Sequence, residues 1–229
     1  MMHRSIDRKL RLFFYLILFL LLSTQISKNN NIRNNIKEKL NNIEVIGLSE
    51  ENNFKVYESL KFLLTENIFF INEKELQNIL TKNNLIDYFY VKKIYPNLIK
   101  VQIKKTEFLA VTNQNNKKFF IGSNGKLINY EFSDKNLPYV FGKINVEDFI
   151  KLTKIIAKSK FNFEEISELY FFPSGRWDIK SNKGILIKLP ETNLLKALNL
   201  AHHITINEIF KNDKVIDLRI YNDVISTNE

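Results

Sequence analysis

The sequence predicts an α+β protein with an apolar N-terminal helix and two folded blocks behind it. Three observations lead to this prediction. An uncharged apolar run, Leu12–Leu22, stands near the start of the chain. Residues 42–107 then show strand and helix patterns in the order β-α-α-β-β. Residues 108–229 show many short strands, which predicts a mostly antiparallel β domain with two helices.

The apolar run is the first element of the prediction. Apolar character continues to Ile26, and Arg4, Arg8, Lys9 and Arg11 precede it. We predict a cytoplasmic tail at 1–11, a transmembrane helix at 12–27 and a spacer at 28–41. The expected topology is that of a single-pass type II protein, with a cytoplasmic N-terminus and its bulk on the far side of the membrane. A cleaved signal peptide remains the alternative, although residues 23–28 match a cleavage site poorly.

The first block, residues 42–107, combines a short strand, two helices and two further strands. Asn72 with Glu75 fits an N-cap and capping box for the second helix. Two helices over one face of a three-stranded sheet satisfy the apolar positions of all five elements. Those positions are Ile43, Val45, Val56, Leu60, Leu63, Leu64, Leu76, Ile79, Leu80, Ile99, Val101 and Ile103.

The second block, residues 108–229, carries turn signals between short apolar runs. Asn124 and Gly125 predict a hairpin turn into a strand at Lys126–Tyr130. Helices are predicted near Val146–Ala157 and from Leu194. A meander follows the first of these helices, and a last strand, Val215–Ile220, alternates with Ile216, Leu218 and Ile220 on one face. No later strand is predicted, so the outer edge of this last strand is expected to be open.

The composition excludes several kinds of chemistry. There is no cysteine, so disulfides and thiolate sites are impossible, and the net charge is +9. The adjacent His202 and His203 point about 100° apart on a helix, which does not suit a shared metal. We therefore predict no catalytic, cofactor or metal site. A membrane-anchored wall hydrolase with two carboxylates facing across a cleft remains the alternative from the enzyme class. Trp177 is expected in the core, with a partner contact as the other interpretation.

Three stretches together resemble the FtsQ/DivIB family of cell-division proteins. The first is Ile94–Ile103, IYPNLIKVQI, which is similar to the end of the family's POTRA domain. The second combines GRWDI at Gly175–Ile179 with GILIKLP at Gly184–Pro190. The third is IDLR at Ile216–Arg219. The order and spacing of the three stretches follow the family's own, and the resemblance covers nearly the whole chain.

The resemblance implies a fold and a function. Residues 42–107 would form the POTRA domain and residues 108–229 the family's β domain. The location would be the inner membrane, with the bulk of the chain in the periplasm. The protein would be a non-catalytic scaffold at the division septum that binds FtsB-like and FtsL-like proteins through its C-terminal strand edge, and other division proteins through the POTRA domain. No nucleic acid or small-molecule substrate is implied. A POTRA-bearing transport or secretion component remains the alternative. The residues expected to receive a partner strand are Ile220, Tyr221, Asn222, Asp223, Val224 and Ile225.

Overall fold

The computed structural model describes residues 8–26, 39–130, 136–206, 214–220 and 225–227. The chain divides into two compact units. The first unit is built from Met1–Ile79 and Tyr90–Gln102, and the second from Leu80–Phe89 and Ile103–Glu229.

Helix α1 spans Arg8–Ile26 and contains the apolar run predicted from the sequence. Its uninterrupted apolar part, Leu12–Leu22, is on the order of 16 Å long as a helix, against about 30 Å of bilayer hydrocarbon. Among the described residues, no helix is both long enough and apolar enough to cross a membrane. The prediction of a transmembrane helix at 12–27 is corrected accordingly. The type II topology was predicted from the same span and stays a prediction.

The next elements follow the predicted order β-α-α-β-β and make a three-stranded sheet. They are β1 (Asn42–Ile46), α2 (Glu50–Leu60), α3 (Glu73–Lys82), β2 (Ile86–Ile94) and β3 (Leu98–Lys105). The strand order is β1-β3-β2, and β1 runs parallel to β3. Asn72 caps α3 as predicted, because its side chain accepts a hydrogen bond from the Lys74 amide at 3.0 Å. Leu60, Ile99 and Val101 are fully buried here.

The remaining strands form a nine-stranded sheet within the described residues. The chain order is β4 (Phe108–Gln114), β5 (Lys117–Gly122), β6 (Leu127–Ile128), β7 (Tyr139–Phe141), α4 (Val146–Lys158), β8 (Ile166–Phe171), β9 (Trp177–Ser181), β10 (Leu186–Lys188), α5 (Leu194–Ile206), β11 (Val215–Asp217) and β12 (Ile225–Thr227). The spatial order is β12-β11-β10-β9-β8-β7-β4-β5-β6. Three pairings are parallel, β4 with β7, β7 with β8 and β10 with β11, and the other five are antiparallel.

Helices α4 and α5 cover one face of this sheet. Phe149 from α4 and Leu198 from α5 are fully buried in the same cluster as Leu169, Ile179 and Ile187 from the central strands. Trp177 belongs to this cluster, so the prediction that it lies in the core is confirmed. The burial of this cluster supplies the main stabilising term of the domain, because apolar area removed from water is the dominant favourable contribution to folding.

One strand is shorter than predicted, and another lies in the middle of the sheet directly after a proline. The hairpin after Gly125 is present, but β6 covers only Leu127–Ile128 rather than Lys126–Tyr130. Strand β7 lies in the middle of the sheet although Pro138 precedes it. Pro138 is compatible with this position because it stands just before the strand, where its carbonyl accepts a hydrogen bond from the Val111 amide at 2.9 Å.

Candidate functional site

The C-terminal edge of the nine-stranded sheet is formed by β12. This strand pairs antiparallel with β11, with Val215 opposite Thr227 and Asp217 opposite Ile225. The predicted open edge on the strand Val215–Ile220 is therefore wrong, because β12 covers that edge. Among the described residues no strand lies outside β12, so β12 carries the sheet edge itself.

One hydrogen bond shows which backbone groups of β12 point away from the sheet. The Thr227 carbonyl accepts a bond from the Lys214 amide at 3.0 Å, so it points toward the β11 side. Successive residues of a strand direct their N–H and C=O groups to opposite sides. The N–H and C=O of Ser226 therefore point to the outside of the sheet.

The six predicted receiving residues are placed unequally. Ile225 lies in β12 with 48% of its surface exposed, and Ile220 is 53% exposed. Residues 221–224, Tyr221 to Val224 of the prediction, lie outside the described residues. Ile220 was expected to pack into the core beside Ile216 and Leu218, which are both buried. It does not, because β11 ends at Asp217 and the strand alternation ends with it.

A row of side chains crosses the sheet on the face opposite the two helices and ends at β12. The pairing places Tyr170 beside Asp178, Asp178 beside Lys188, Lys188 beside Asp217, and Asp217 beside Ile225. We call these five residues the outer row. Their positions follow from strand alternation, since their chain neighbours, such as Ile179 and Ile216, are buried in the core.

Two arginines neutralise the carboxylates of the outer row. Arg176 Nε donates to Asp178 Oδ1 at 3.3 Å. Arg219 Nε contacts both carboxylate oxygens of Asp217, at 2.8 and 3.0 Å, and the Arg219 amide donates to Oδ1 at 3.1 Å. The Arg176 guanidinium also lies 4.3 Å from the centre of the Phe172 ring. With Lys188 between the carboxylates, this part of the surface carries one more positive than negative charge.

The two carboxyl groups respond differently to their surroundings. Burial raises the pKa of Asp178, against the opposing effect of Arg176. The hydrogen bonds from Arg219 lower the pKa of Asp217, and the same contact raises the pKa of the Arg219 guanidinium. The difference arises because Asp217 accepts four hydrogen bonds from the amide, Nε and Nη2 of Arg219, whereas Asp178 is 4% exposed and accepts one long bond from Arg176.

Aromatic rings extend the surface away from the edge. The rings of Tyr139 and Phe141 are 4.5 Å apart, and those of Phe141 and Tyr170 are 5.1 Å apart. The Tyr170 hydroxyl donates a hydrogen bond to Glu168, which also accepts one from Lys180 Nζ at 3.0 Å. The bond to Glu168 raises the pKa of Tyr170 to about 12 and contributes to lowering the pKa of Glu168. This surface offers aromatic, charged and backbone contacts to a partner chain.

Arg176 and Asp178 flank the core residue Trp177, so strand alternation places them on the opposite face, where their side chains form an ion pair. Lys188, Asp217 and Arg219 were not identified from the sequence as members of the same surface. The alternation of polar and apolar residues in β9, β10 and β11 indicates which side chains share a face. It does not give the register that places Asp178, Lys188 and Asp217 side by side.

The described residues show no arrangement suited to metal binding. No group of three or more His, Asp or Glu side chains among them is placed to hold a metal ion. His202 and His203 are neighbours on α5, with ring centres 5.8 Å apart. The carboxylates Asp178 and Asp217 lie along one sheet face and are paired with arginines, whereas a glycosidase sets two carboxylates across a cleft.

Two family models match the chain over most of its length. The model described as cell division protein FtsQ/DivIB, C-terminal, matches residues 110–219. The model described as POTRA domain, FtsQ-type, matches residues 38–105. The first match contains strands β5 to β11 with helices α4 and α5, and the second contains the β-α-α-β-β elements.

Curated relatives agree with these matches, and a similarity to part of one solved structure was also found. The cell division protein FtsQ of Rickettsia bellii (strain RML369-C) is 27% identical over 198 residues, covering 79% of this chain and 69% of that protein. FtsQ of Rhizobium meliloti (strain 1021) is 20% identical over 192 residues, covering 79% and 60%. The extracytoplasmic domain of DivIB from Geobacillus stearothermophilus is similar to 44% of this chain, and 92% of that domain is covered, at 16% identity and a TM-score of 0.34. The family matches and the curated relatives identify the chain as a member of the FtsQ/DivIB family of cell-division proteins.

Proposed function

We propose that this protein is a non-catalytic scaffold at the division septum that binds other division proteins, with an FtsB-like protein, in complex with an FtsL-like one, received at the edge strand β12. The family is one of non-enzymatic division proteins, which supports a role carried by surfaces. In this proposal the folded domains occupy residues 42–107 and 108–229, and the first of them binds further division partners.

The single observation that carries the proposal is the position of β12 at the sheet edge. An edge strand presents unpaired N–H and C=O groups that accept another chain as an additional strand. The outward groups of Ser226 supply this pairing, and the exposed Ile225 supplies an apolar contact next to them. The proposed receiving stretch is thus Ile220 to Ile225, extended by Ser226 and Thr227.

The outer row provides side-chain contacts that favour some partner strands over others. A partner residue opposite Ile225 would continue the row that begins at Tyr170, with Ile225 between it and Asp217. Directly opposed residues on neighbouring strands interact through their side chains, so this partner position would favour a side chain that packs against the exposed Ile225. The opposite edge of the sheet offers less, since β6 has two residues and its Ile128 is buried.

The test replaces the outward backbone donor. Ser226→Pro removes the N–H that a partner strand requires, whereas Ser226→Ala keeps it. The full-length chain carrying each change is used to capture the FtsB-like protein encoded by the same organism. We expect capture to fall at least tenfold for Ser226→Pro and to stay near the unchanged level for Ser226→Ala, with equal thermal unfolding for both. Equal capture by the two variants would refute strand addition at β12.

A further inference from the structure

Three exposed aromatic side chains lie together at one end of the first unit. Phe69 and Phe70 follow the short 3-10 helix Lys61–Thr65, with 51% and 81% of their surfaces exposed. Tyr95, on the turn between β2 and β3, is 57% exposed, and its ring stacks on Phe69 at 4.9 Å. Phe70 is the most exposed large apolar side chain among the described residues. We call these three residues the aromatic patch.

The chain enters the three-stranded sheet beside this patch. The Leu40 amide donates to the Glu66 carbonyl at 3.0 Å, next to the turn that carries Phe69 and Phe70. The Asn41 amide donates to the Asn97 carbonyl at 2.9 Å, on the turn that carries Tyr95. Both aromatic turns therefore flank the point where the polypeptide arrives from the apolar helix α1.

The chain leading to this entry carries more basic than acidic residues, and the exposed Glu66 beside the entry supplies one negative charge. Lys39 is exposed and forms an isolated bridge with Asn67 between the entering chain and the first aromatic turn. The preceding sequence carries Lys28, Arg33 and Lys37 against Glu38. The apolar side chains of Leu12–Leu22 in α1 are exposed as well. Apolar and basic groups thus follow one another along the chain up to the aromatic patch.

We propose that the aromatic patch contacts an anionic lipid surface, with Phe69, Phe70 and Tyr95 entering the headgroup region. Exposed aromatic rings favour this boundary, and nearby basic residues add attraction to anionic headgroups. A lipid surface fits better than a peptide because the patch stands on two turns, where the rings project rather than line a groove or a strand edge. The contact would hold the entry end of the first unit against the bilayer.

The absence of cysteine makes a local test possible, since one introduced cysteine is then the only thiol. The full-length chain with Phe70→Cys is labelled with an environment-sensitive fluorophore and mixed with vesicles of phosphatidylglycerol and phosphatidylethanolamine. The matched control is Phe54→Cys. Phe54 is 61% exposed and lies in α2, which begins beyond the end of β1 that is distant from the entry point.

We expect a blue shift and at least twofold quenching by headgroup spin-labelled lipid at position 70, and neither at position 54. The signal at position 70 should weaken in vesicles of phosphatidylcholine alone. Equal signals at the two positions, or a label at position 70 that is already shielded without vesicles, would overturn the proposal. In the second case α1 or another protein segment covers the patch. The Phe70→Cys chain is also used to capture the FtsB-like protein. Capture by this chain shows that the proposed function holds, whether or not the aromatic patch contacts lipid.

Discussion

Asp178 and Asp217 lie on opposite sides of Lys188 in adjacent strands, each paired with an arginine two residues away, yet their pKa values shift in opposite directions. Burial dominates at Asp178, whereas hydrogen bonds from Arg219 dominate at Asp217. Similar sequence patterns, Arg-Trp-Asp and Asp-Leu-Arg, therefore give carboxylates with different energetic roles.

This difference predicts opposite effects of removing the two charges. Because the folded state lowers the pKa of Asp217, its carboxylate stabilises the fold at neutral pH, and that contribution is lost as pH falls through the lowered pKa. Asp217→Asn should reduce the free energy of unfolding at pH 7 by about 0.5–1 kcal/mol.

Because the pKa of Asp178 is raised, its charged form opposes folding, and this cost disappears as pH falls below the raised pKa. Asp178→Asn should not reduce stability at pH 7.

Chemical denaturation of both variants and the unchanged chain between pH 3 and pH 7 measures these effects. The stability advantage of the unchanged chain over Asp217→Asn should shrink toward the acidic end, as pH falls below the unfolded-state pKa of aspartate. A larger loss of stability at pH 7 for Asp178→Asn than for Asp217→Asn would contradict the assignment.

Tyr170 should lose its proton late in an alkaline titration. Its hydroxyl donates to Glu168, which raises the pKa of Tyr170 to about 12. The protonated phenol therefore stabilises the fold below the unfolded-state pKa of about 10, and this contribution is lost as pH rises through about 12. Ultraviolet absorbance should show a late tyrosinate phase that Tyr170→Phe removes. Tyr88→Phe, at an exposed tyrosine, should retain that phase, and its loss there would refute the assignment.

Two glycines with left-handed backbones should differ in their tolerance of alanine. Gly142 has φ 101°, and a Cβ there would lie 2.3 Å from the Phe171 carbonyl oxygen. Gly184 has φ 83°, with no atom within 4 Å of such a Cβ. Gly184→Ala should cost about 1–2 kcal/mol from backbone strain, and Gly142→Ala about 2–5 kcal/mol because a steric clash is added. Thermal unfolding of both variants decides this, and equal losses would show that the contact at Gly142 relaxes freely.

Much of the fold could be predicted from local patterns. The alternation of Ile99, Val101 and Ile103 and the cap at Asn72 fixed elements of the first unit, because these signals act within a few residues. The helix Val146–Lys158 likewise follows from its apolar period. Such elements are specified by the chain around them.

The sheet edge could not be predicted in the same way. The strand at Ile225–Thr227 has three residues, too few for a readable alternation, and its existence depends on pairing with β11. The outer row depends on the register of five strands, which is a non-local property. The apolar run Leu12–Leu22 was over-interpreted, because its length as a helix falls short of the bilayer hydrocarbon.

The central claim is tested most directly by hydrogen exchange at the Ser226 amide, followed by NMR on the full-length chain with and without the FtsB-like protein. Strand addition predicts that this amide exchanges at least tenfold more slowly in the complex, because its N–H then donates to the partner backbone. Unchanged exchange at Ser226 in a saturated complex, with protection appearing elsewhere, would contradict the account.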